Sequence, residues 1–117
     1  SSAASDVYKR QTHVGPREAR AKLQVLPEHH QPWGVANGGL YCSIAETVAS
    51  IASVAAADAP AVGVNNSSDF IRSTGEGELE AVATPVQLGG RTHLWSVEMR
   101  QGRELIARTT LRTMILR

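Results

Sequence analysis

The residues best placed to do chemistry lie in one stretch, which reads QPWGVANGGLYCSIAETVAS from Gln31 to Ser50. A loop that contains Gln31 ends in a glycine pair, Gly38 and Gly39, and an apolar segment with a single carboxylate, Glu46, follows it. Glycines let the backbone approach a ligand closely, and the free N–H groups at a helix start favour negative charge. A carboxylate among apolar residues is costly unless it has a task. Together they suit acyl-transfer chemistry.

Each of these groups has a specific role in such a reaction. The amide of Gly38 would bind the oxyanion that develops on a carbonyl, helped by the helix dipole. Glu46 would act as a general base on water or as a nucleophile, and the sequence leaves both roles open. Ser50, one helical turn after Glu46, would orient that carboxylate or a water molecule.

One long helix and several strands must position these groups. Apolar residues recur at helical spacing over about 39–57 and predict a face toward a core, namely Leu40, Ile44, Val48, Ile51 and Ala55. Alternating apolar residues bounded by turn-forming residues predict strands at 19–26, 62–72, 78–87, 91–100 and 104–115. Pro85 predicts an edge position or a bulge in its strand. One helix with sequential antiparallel strands indicates an α+β domain.

The spacing of Gln31, Gly38, Glu46 and Ser50 resembles the signature of the hotdog-fold acyl-CoA thioesterases, in the branch of the PaaI-like and 4-hydroxybenzoyl-CoA thioesterases. The segments NSSDFIR at 66–72 and GGRT at 89–92 resemble two further motifs of that family. The resemblance implies an antiparallel sheet wrapped around one long central helix. It also implies hydrolysis of an acyl-CoA thioester, with an aromatic or hydroxyaromatic acyl group as the first expectation. It implies no metal or cofactor, and a homodimer or homotetramer with the site between subunits.

The same resemblance implies roles for more residues. Gln31 would lie beside the attacking water or the thioester, and Asn37 stands where the family has a histidine. Asparagine donates and accepts hydrogen bonds but does not titrate near neutral pH. That substitution keeps open an alternative function, a module that binds acyl-CoA without hydrolysing it. It disfavours a hotdog dehydratase, which needs that histidine.

Substrate contacts are expected from a second group of residues. Gly39 adjoins the oxyanion site, and Trp33 and Tyr41 flank it, where they would line an acyl pocket or simply pack. Arg72 and Arg91 lie near strand ends, where related enzymes meet the nucleotide phosphates of CoA.

The composition bounds the remaining possibilities. The chain has 117 residues, a net charge of +1, one cysteine and four histidines. We expect a single domain, no disulfide framework, a cytoplasmic location, no nucleic-acid partner and no metal site. No stretch reaches the roughly 20 apolar residues of a membrane span.

Residues 1–11 match the in-frame translation of a DNA sequence that resembles a transposase-based sequencing adapter. We therefore expect them to be a disordered artefact of metagenomic assembly, with the domain at 12–117.

Overall fold

The computed structural model describes residues 9–15, 17–25, 38–72 and 77–117, and the side chains among them from residue 14 onward. Within these ranges the chain forms one helix and six strands. Their bounds are β1 (Lys9–Gly15), β2 (Glu18–Val25), α1 (Gly38–Ala57), β3 (Ala61–Phe70), β4 (Gly77–Leu88), β5 (Thr92–Gln101) and β6 (Glu104–Ile115). The helix and the five strands predicted from the sequence are all present.

The six strands form a single antiparallel sheet in the order β1-β2-β4-β5-β6-β3. The helix α1 contacts all six strands, so the sheet curves around it. The two edges of the sheet are β1 and β3, and β3 pairs with β6 along its whole length. The expected α+β architecture, with an antiparallel sheet wrapped around a central helix, is confirmed.

The buried side of α1 is built largely from small residues. Ala45, Ala49 and Ala52 are completely buried, which lets the sheet approach the helix axis closely. Contrary to the expectation that no stretch reaches the length of a membrane span, α1 is long and apolar enough to cross a membrane by length and composition. Core helices share these properties, and this one packs against the sheet. Two residues predicted to face the core do not, because Ile51 is only half-buried and Ala55 is exposed. The sheet therefore covers this side of α1 along its first half only.

Two bulges adjust which residues point inward. The register of β4 against β5 shifts between Pro85 and Gln87, so the bulge predicted from Pro85 is present. A second shift opposite Met99 lets both Ile106 and Ala107 of β6 be buried. Strict alternation with Ala107, Thr109 and Leu111 would place Leu105 on the inner face, but Leu105 is only half-buried and Ile106 is buried instead, because of this bulge.

The edge strand β1 was not predicted from the sequence. Its first three residues, Lys9 to Gln11, belong to the segment that we expected to lie outside the fold, yet their backbone pairs with Ala21–Leu23 of β2. Backbone pairing at a sheet edge requires no particular side chains, so composition gave no signal for it. Residues 1–8 lie outside the described residues, and the expectation for them is untested.

A polar cluster is buried beneath the second half of α1. The Ser53 hydroxyl lies 3.0 Å from His93 Nδ1 and 2.5 Å from Thr113 Oγ1, and it accepts a hydrogen bond of 2.6 Å from Trp95 Nε1. All four residues are 3% exposed or less. Burial lowers the pKa of His93, and the positive charge of Arg117 adds to this effect. Neutral imidazole is therefore the form that the folded protein favours.

This lowered pKa predicts a specific loss of stability in acid. A base whose folded-state pKa lies below its unfolded value binds more protons when unfolded, so its contribution is complete above about pH 6.5 and is lost as the pH falls. Urea unfolding of the parent and of His93→Gln should therefore diverge between pH 7.5 and pH 5. The free energy of unfolding should fall less steeply in the variant, because glutamine cannot gain a proton. Identical slopes would show that His93 is not the group responsible.

Candidate functional site

The start of α1 lies against the end of β3. Gly38 is the first residue of the helix, and a Cβ atom added to it would lie 3.1 Å from two ring carbons of Phe70. A side chain at this position would have to displace the ring. The glycine therefore permits a close contact between the helix start and β3. Gly39, which follows, is exposed.

Glu46 lies two turns further along and on the other side of the helix from the core. It is exposed, whereas the sequence suggested an apolar setting for it. The apolar neighbours in the sequence belong to the buried side of α1, so they do not surround the carboxylate. Ser50, half-buried, follows one turn later in the same row. Glu46 and Ser50 thus share a face of α1 that the sheet does not cover.

A hydrogen-bonded network ties the first turns of α1 to β3 and β6. The Ser68 hydroxyl donates to Asn66 Oδ1 at 2.6 Å and lies 2.7 Å from the hydroxyl of Thr109, which is buried. The thiol of Cys42 lies 3.6 Å from the same hydroxyl, and the Asn66 amide donates to the carbonyl of Cys42 at 3.3 Å. No functional role was predicted for Ser68 or Thr109, although Thr109 alternates with Ala107 and Leu111 and therefore belongs to the same face of β6.

Tyr41 faces the sheet rather than an open pocket. It is 3% exposed, and its ring centroid lies 6.0 Å from that of Phe70. Among the described residues its hydroxyl has no hydrogen-bond partner, and burial raises the pKa of the phenol, so it stays neutral. Of the two roles expected for Tyr41, packing is the one that the single chain shows.

The two arginines expected at a nucleotide lie at opposite ends of the sheet. Arg72 is bonded at its backbone to Ile106, near the start of β6, and its guanidinium lies 3.4 Å from Glu104. The carbonyl of Arg91 accepts a bond from Ile115, at the end of β6. At about 3.3 Å per strand residue, the two positions are roughly 30 Å apart. One chain therefore does not bring them together.

Arg91 lines a cavity of about 710 Å³ at the far end of the sheet, beside the exposed Arg117.

Gln31, Trp33 and Asn37 lie outside the described residues, and their roles stay predictions. Within the described ranges no group of histidine, cysteine and acidic side chains could hold a metal ion.

Comparison with known sequences gives a consistent family. The profile of the thioesterase superfamily matches residues 34–107. MT1895 of Mycobacterium tuberculosis (strain CDC 1551 / Oshkosh), whose name marks it as a candidate esterase, is 42% identical over 91 residues. The 1,4-dihydroxy-2-naphthoyl-CoA hydrolase of Escherichia coli (strain K12) is 31% identical over 89 residues. Each match covers 74% of this chain and 65% of the relative, so the chain spans slightly less than two thirds of the length of these relatives.

Solved structures agree with the sequence comparison. The structure of Rv1847/MT1895 from Mycobacterium tuberculosis superposes with a TM-score of 0.90 at 38% identity, covering 92% of this chain and 90% of that one. The thioesterase HI1161 of Haemophilus influenzae gives a TM-score of 0.89 at 26% identity, covering 97% and 82%. These similarities confirm the hotdog fold expected from the sequence.

The network at the helix start predicts a position-specific loss of stability. Ser68→Ala would leave Asn66 Oδ1 and the Thr109 hydroxyl without this partner, which should lower the free energy of unfolding by about 1–3 kcal/mol. Ser67→Ala, on the exposed side of the same strand, is the matched control and should change it by less than about 0.5 kcal/mol. Urea unfolding measures both. Equal effects at the two positions would mean that the network does not hold the helix to β3.

Proposed function

Because this chain belongs to the thioesterase superfamily, we propose that it hydrolyses the thioester of an acyl-CoA to a free acid and CoA. The observation that carries the proposal is the geometry of α1. The Gly38 amide lies at the start of the helix, where the dipole is positive, and an exposed carboxylate, Glu46, stands on the face that the sheet leaves open. These are the two groups that hydrolysis of a thioester requires, an oxyanion donor and a base or nucleophile.

The reaction needs only the chain's own residues and water. The Gly38 amide polarises the carbonyl, and Glu46 takes a proton from a water molecule whose oxygen bonds to the carbonyl carbon. Collapse of the tetrahedral intermediate breaks the C–S bond, and the leaving thiolate receives a proton. Attack by Glu46 itself, through a mixed anhydride that water then hydrolyses, is the alternative, and the single-chain geometry is compatible with both.

The site would need two copies of the chain. Gly38 and Glu46 are eight residues apart in one helix, which at about 1.5 Å per residue separates them by about 12 Å along the axis. One carbonyl group does not span that distance, so the Gly38 amide of one subunit would serve the same thioester as Glu46 of another. This requirement supports a homodimer, either alone or within a homotetramer.

The edge strand β3 is the surface that fits such a partner. Within the described sheet it pairs only with β6, and it and the residue that follows it expose Val62, Val64, Phe70 and Ile71. An exposed apolar edge readily pairs with another strand. Cys42, one turn before Glu46, contacts β3 through Ser68, so a partner on this edge would come close to Glu46.

The same partner would reconcile the positions of the two arginines. If two subunits pair through β3 about a two-fold axis, their sheets run in opposite directions. Arg91 of one subunit then lies at the same end of the dimer as Arg72 of the other. Both could then contact one nucleotide, as proposed for the phosphates of CoA. The acyl group remains a separate question, and the naphthoyl-CoA hydrolase among the relatives favours testing aromatic acyl groups first.

A release assay separates this function from a module that only binds acyl-CoA. Free thiol is measured with a panel of aliphatic and aromatic acyl-CoAs, and binding of the same compounds is measured by calorimetry. Turnover supports the hydrolase, whereas binding without turnover would replace it with the binding module that Asn37 keeps open.

Replacing the proposed base gives a direct prediction. Glu46→Gln keeps the shape of the side chain but removes its charge and basicity, so kcat should fall by roughly 10²–10⁴-fold. Asp58→Asn is the matched control, because it also removes an exposed carboxylate from the end of α1. Asp58 has a positive φ of 52°, which asparagine tolerates, so activity and fold should be kept. Activity of Glu46→Gln within threefold of the parent would contradict the assignment.

A further inference from the structure

A cationic cavity lies at the far end of the sheet, where β5 begins and β6 ends. Its lining includes Gly90 and Arg91 of the turn before β5, and Arg117 beyond the end of β6. Both arginines are exposed, and the ion pairs within the described ranges involve other residues. Two guanidinium groups at one cavity suit an oxyanion such as a phosphate or a sulfate group.

The strand ends that line this cavity also hold the buried polar cluster around Ser53. His93 directly follows Thr92, which lines the cavity, and it lies opposite Thr113 of β6. The positive charge of Arg117 acts on His93, where it adds to burial in lowering the pKa of the imidazole. The field of one side chain therefore connects the cavity to the buried cluster.

The groups packed against the imidazole of His93 are uncharged. From α1 it meets the Ser53 hydroxyl at 3.0 Å, and from β4 it pairs with Leu88. Its neighbour on β6 is Thr113, and the ring of Trp95 lies edge-on with its centroid at 6.0 Å. None of these groups would balance a positive charge on the ring, so any balancing charge must come from the cavity side.

The nearest charged residues have different effects on His93. Arg112 bonds to the hydroxyl of Thr92, which alternation places on the outer face of the sheet, whereas His93 lies on the inner face. Asp58, which follows α1, is exposed and is not a cause of the lowered pKa of His93. Arg117 is the charged residue that is one. Its charge is also the one that an anion in the cavity would offset.

We infer that this cavity binds an oxyanion and that binding is coupled to the uptake of a proton by His93. An anion beside Arg117 would offset its positive charge, so protonated imidazole would cost less free energy when the cavity is occupied. Linkage requires the reverse effect, in which protonated His93 strengthens the binding of the anion by the same factor.

The anion has two sources of the same chemistry, a free oxyanion or a phosphate group of CoA. For CoA the inference rests on the proposed function, and it adds a regulatory property to it. The affinity for CoA would increase as the pH falls, through a buried residue that does not touch the substrate. Because Ser53 joins His93 to α1, the proton would be taken up beneath the helix that carries Glu46.

Titration of His93 in the presence of sulfate tests the coupling. Sulfate keeps its charge over the range in which histidine titrates, so the protein alone changes protonation. The midpoint of the His93 ring signals in NMR, assigned by comparison with His93→Gln, should rise by about half a pH unit in saturating sulfate. By linkage, calorimetry should show an affinity for sulfate about threefold higher below both midpoints than above them. His93→Gln should lose this dependence on pH.

Two arginine variants separate the cavity from general charge effects. Arg117→Gln should raise the midpoint of His93 without sulfate, because a positive charge is removed, and sulfate should then add no further rise. Arg117 is exposed, so this variant should keep the fold even if His93→Gln does not. Arg103→Gln is the matched control, because it removes an exposed arginine from the turn between β5 and β6 at the other end of the sheet. It should leave both the midpoint and the effect of sulfate unchanged.

The outcomes separate this inference from the proposed function. No binding of sulfate would overturn the site, and an unchanged midpoint in saturating sulfate would overturn the coupling. Competition between sulfate and CoA would identify the CoA phosphates as the source of the anion, whereas independent binding would identify a free oxyanion. A parent that hydrolyses no thioester but shows the sulfate-dependent midpoint would refute the hydrolase and support the coupling.

Discussion

The contact between one side of α1 and the inner face of the sheet is the constraint on which the rest of the structure depends. Three alanines with no exposed surface, Ala45, Ala49 and Ala52, allow the sheet to wrap closely around the helix. The close wrap buries Trp95 and Met99 completely and leaves a single side of α1 outside. Glu46 and Ser50, the helix residues beyond the first turn that have a proposed role, lie on that outer side. A larger residue in the alanine row would push the sheet away and cost stability through overpacking.

Two polar networks, one partly buried and one fully buried, fix the helix in this wrap near both ends. Near its start, Ser68 joins Cys42 to β3 and β6, and near its end Ser53 joins His93, Trp95 and Thr113 of β5 and β6. Such networks stabilise one rotation of a helix over others, because a rotated helix would leave these groups unsatisfied. The rotation of α1 decides whether Glu46 and Ser50 face outward. The networks therefore hold the face that carries Glu46 and Ser50 in an outward position.

The sequence was sufficient to predict the helix and five strands, because hydrophobic periodicity and turn-forming residues act locally. It did not predict β1, because that strand is held by backbone pairing. It also did not predict the bulge in β6 that buries Ile106 in place of Leu105, because the bulge depends on the register with β5. The exposure of Glu46 also escaped prediction, since apolar residues next to it in sequence belong to another side of the helix. The separation of Arg72 from Arg91 emerges only when the strands are placed in space.

The central claim is that one thioester is served by the Gly38 amide of one subunit and by Glu46 of its partner. A mixed dimer of Gly38→Val and Glu46→Gln chains, purified with two different tags, tests it most directly. Each homodimer has a defect in both of its sites. In one homodimer, valine at position 38 crowds the helix start against Phe70. In the other, both sites lack the carboxylate of Glu46. In a shared-site arrangement the mixed dimer has one site with both substitutions and one intact site, so it should regain about half of the parent's kcat per dimer. A mixed dimer that stays as inactive as the two homodimers would contradict the account.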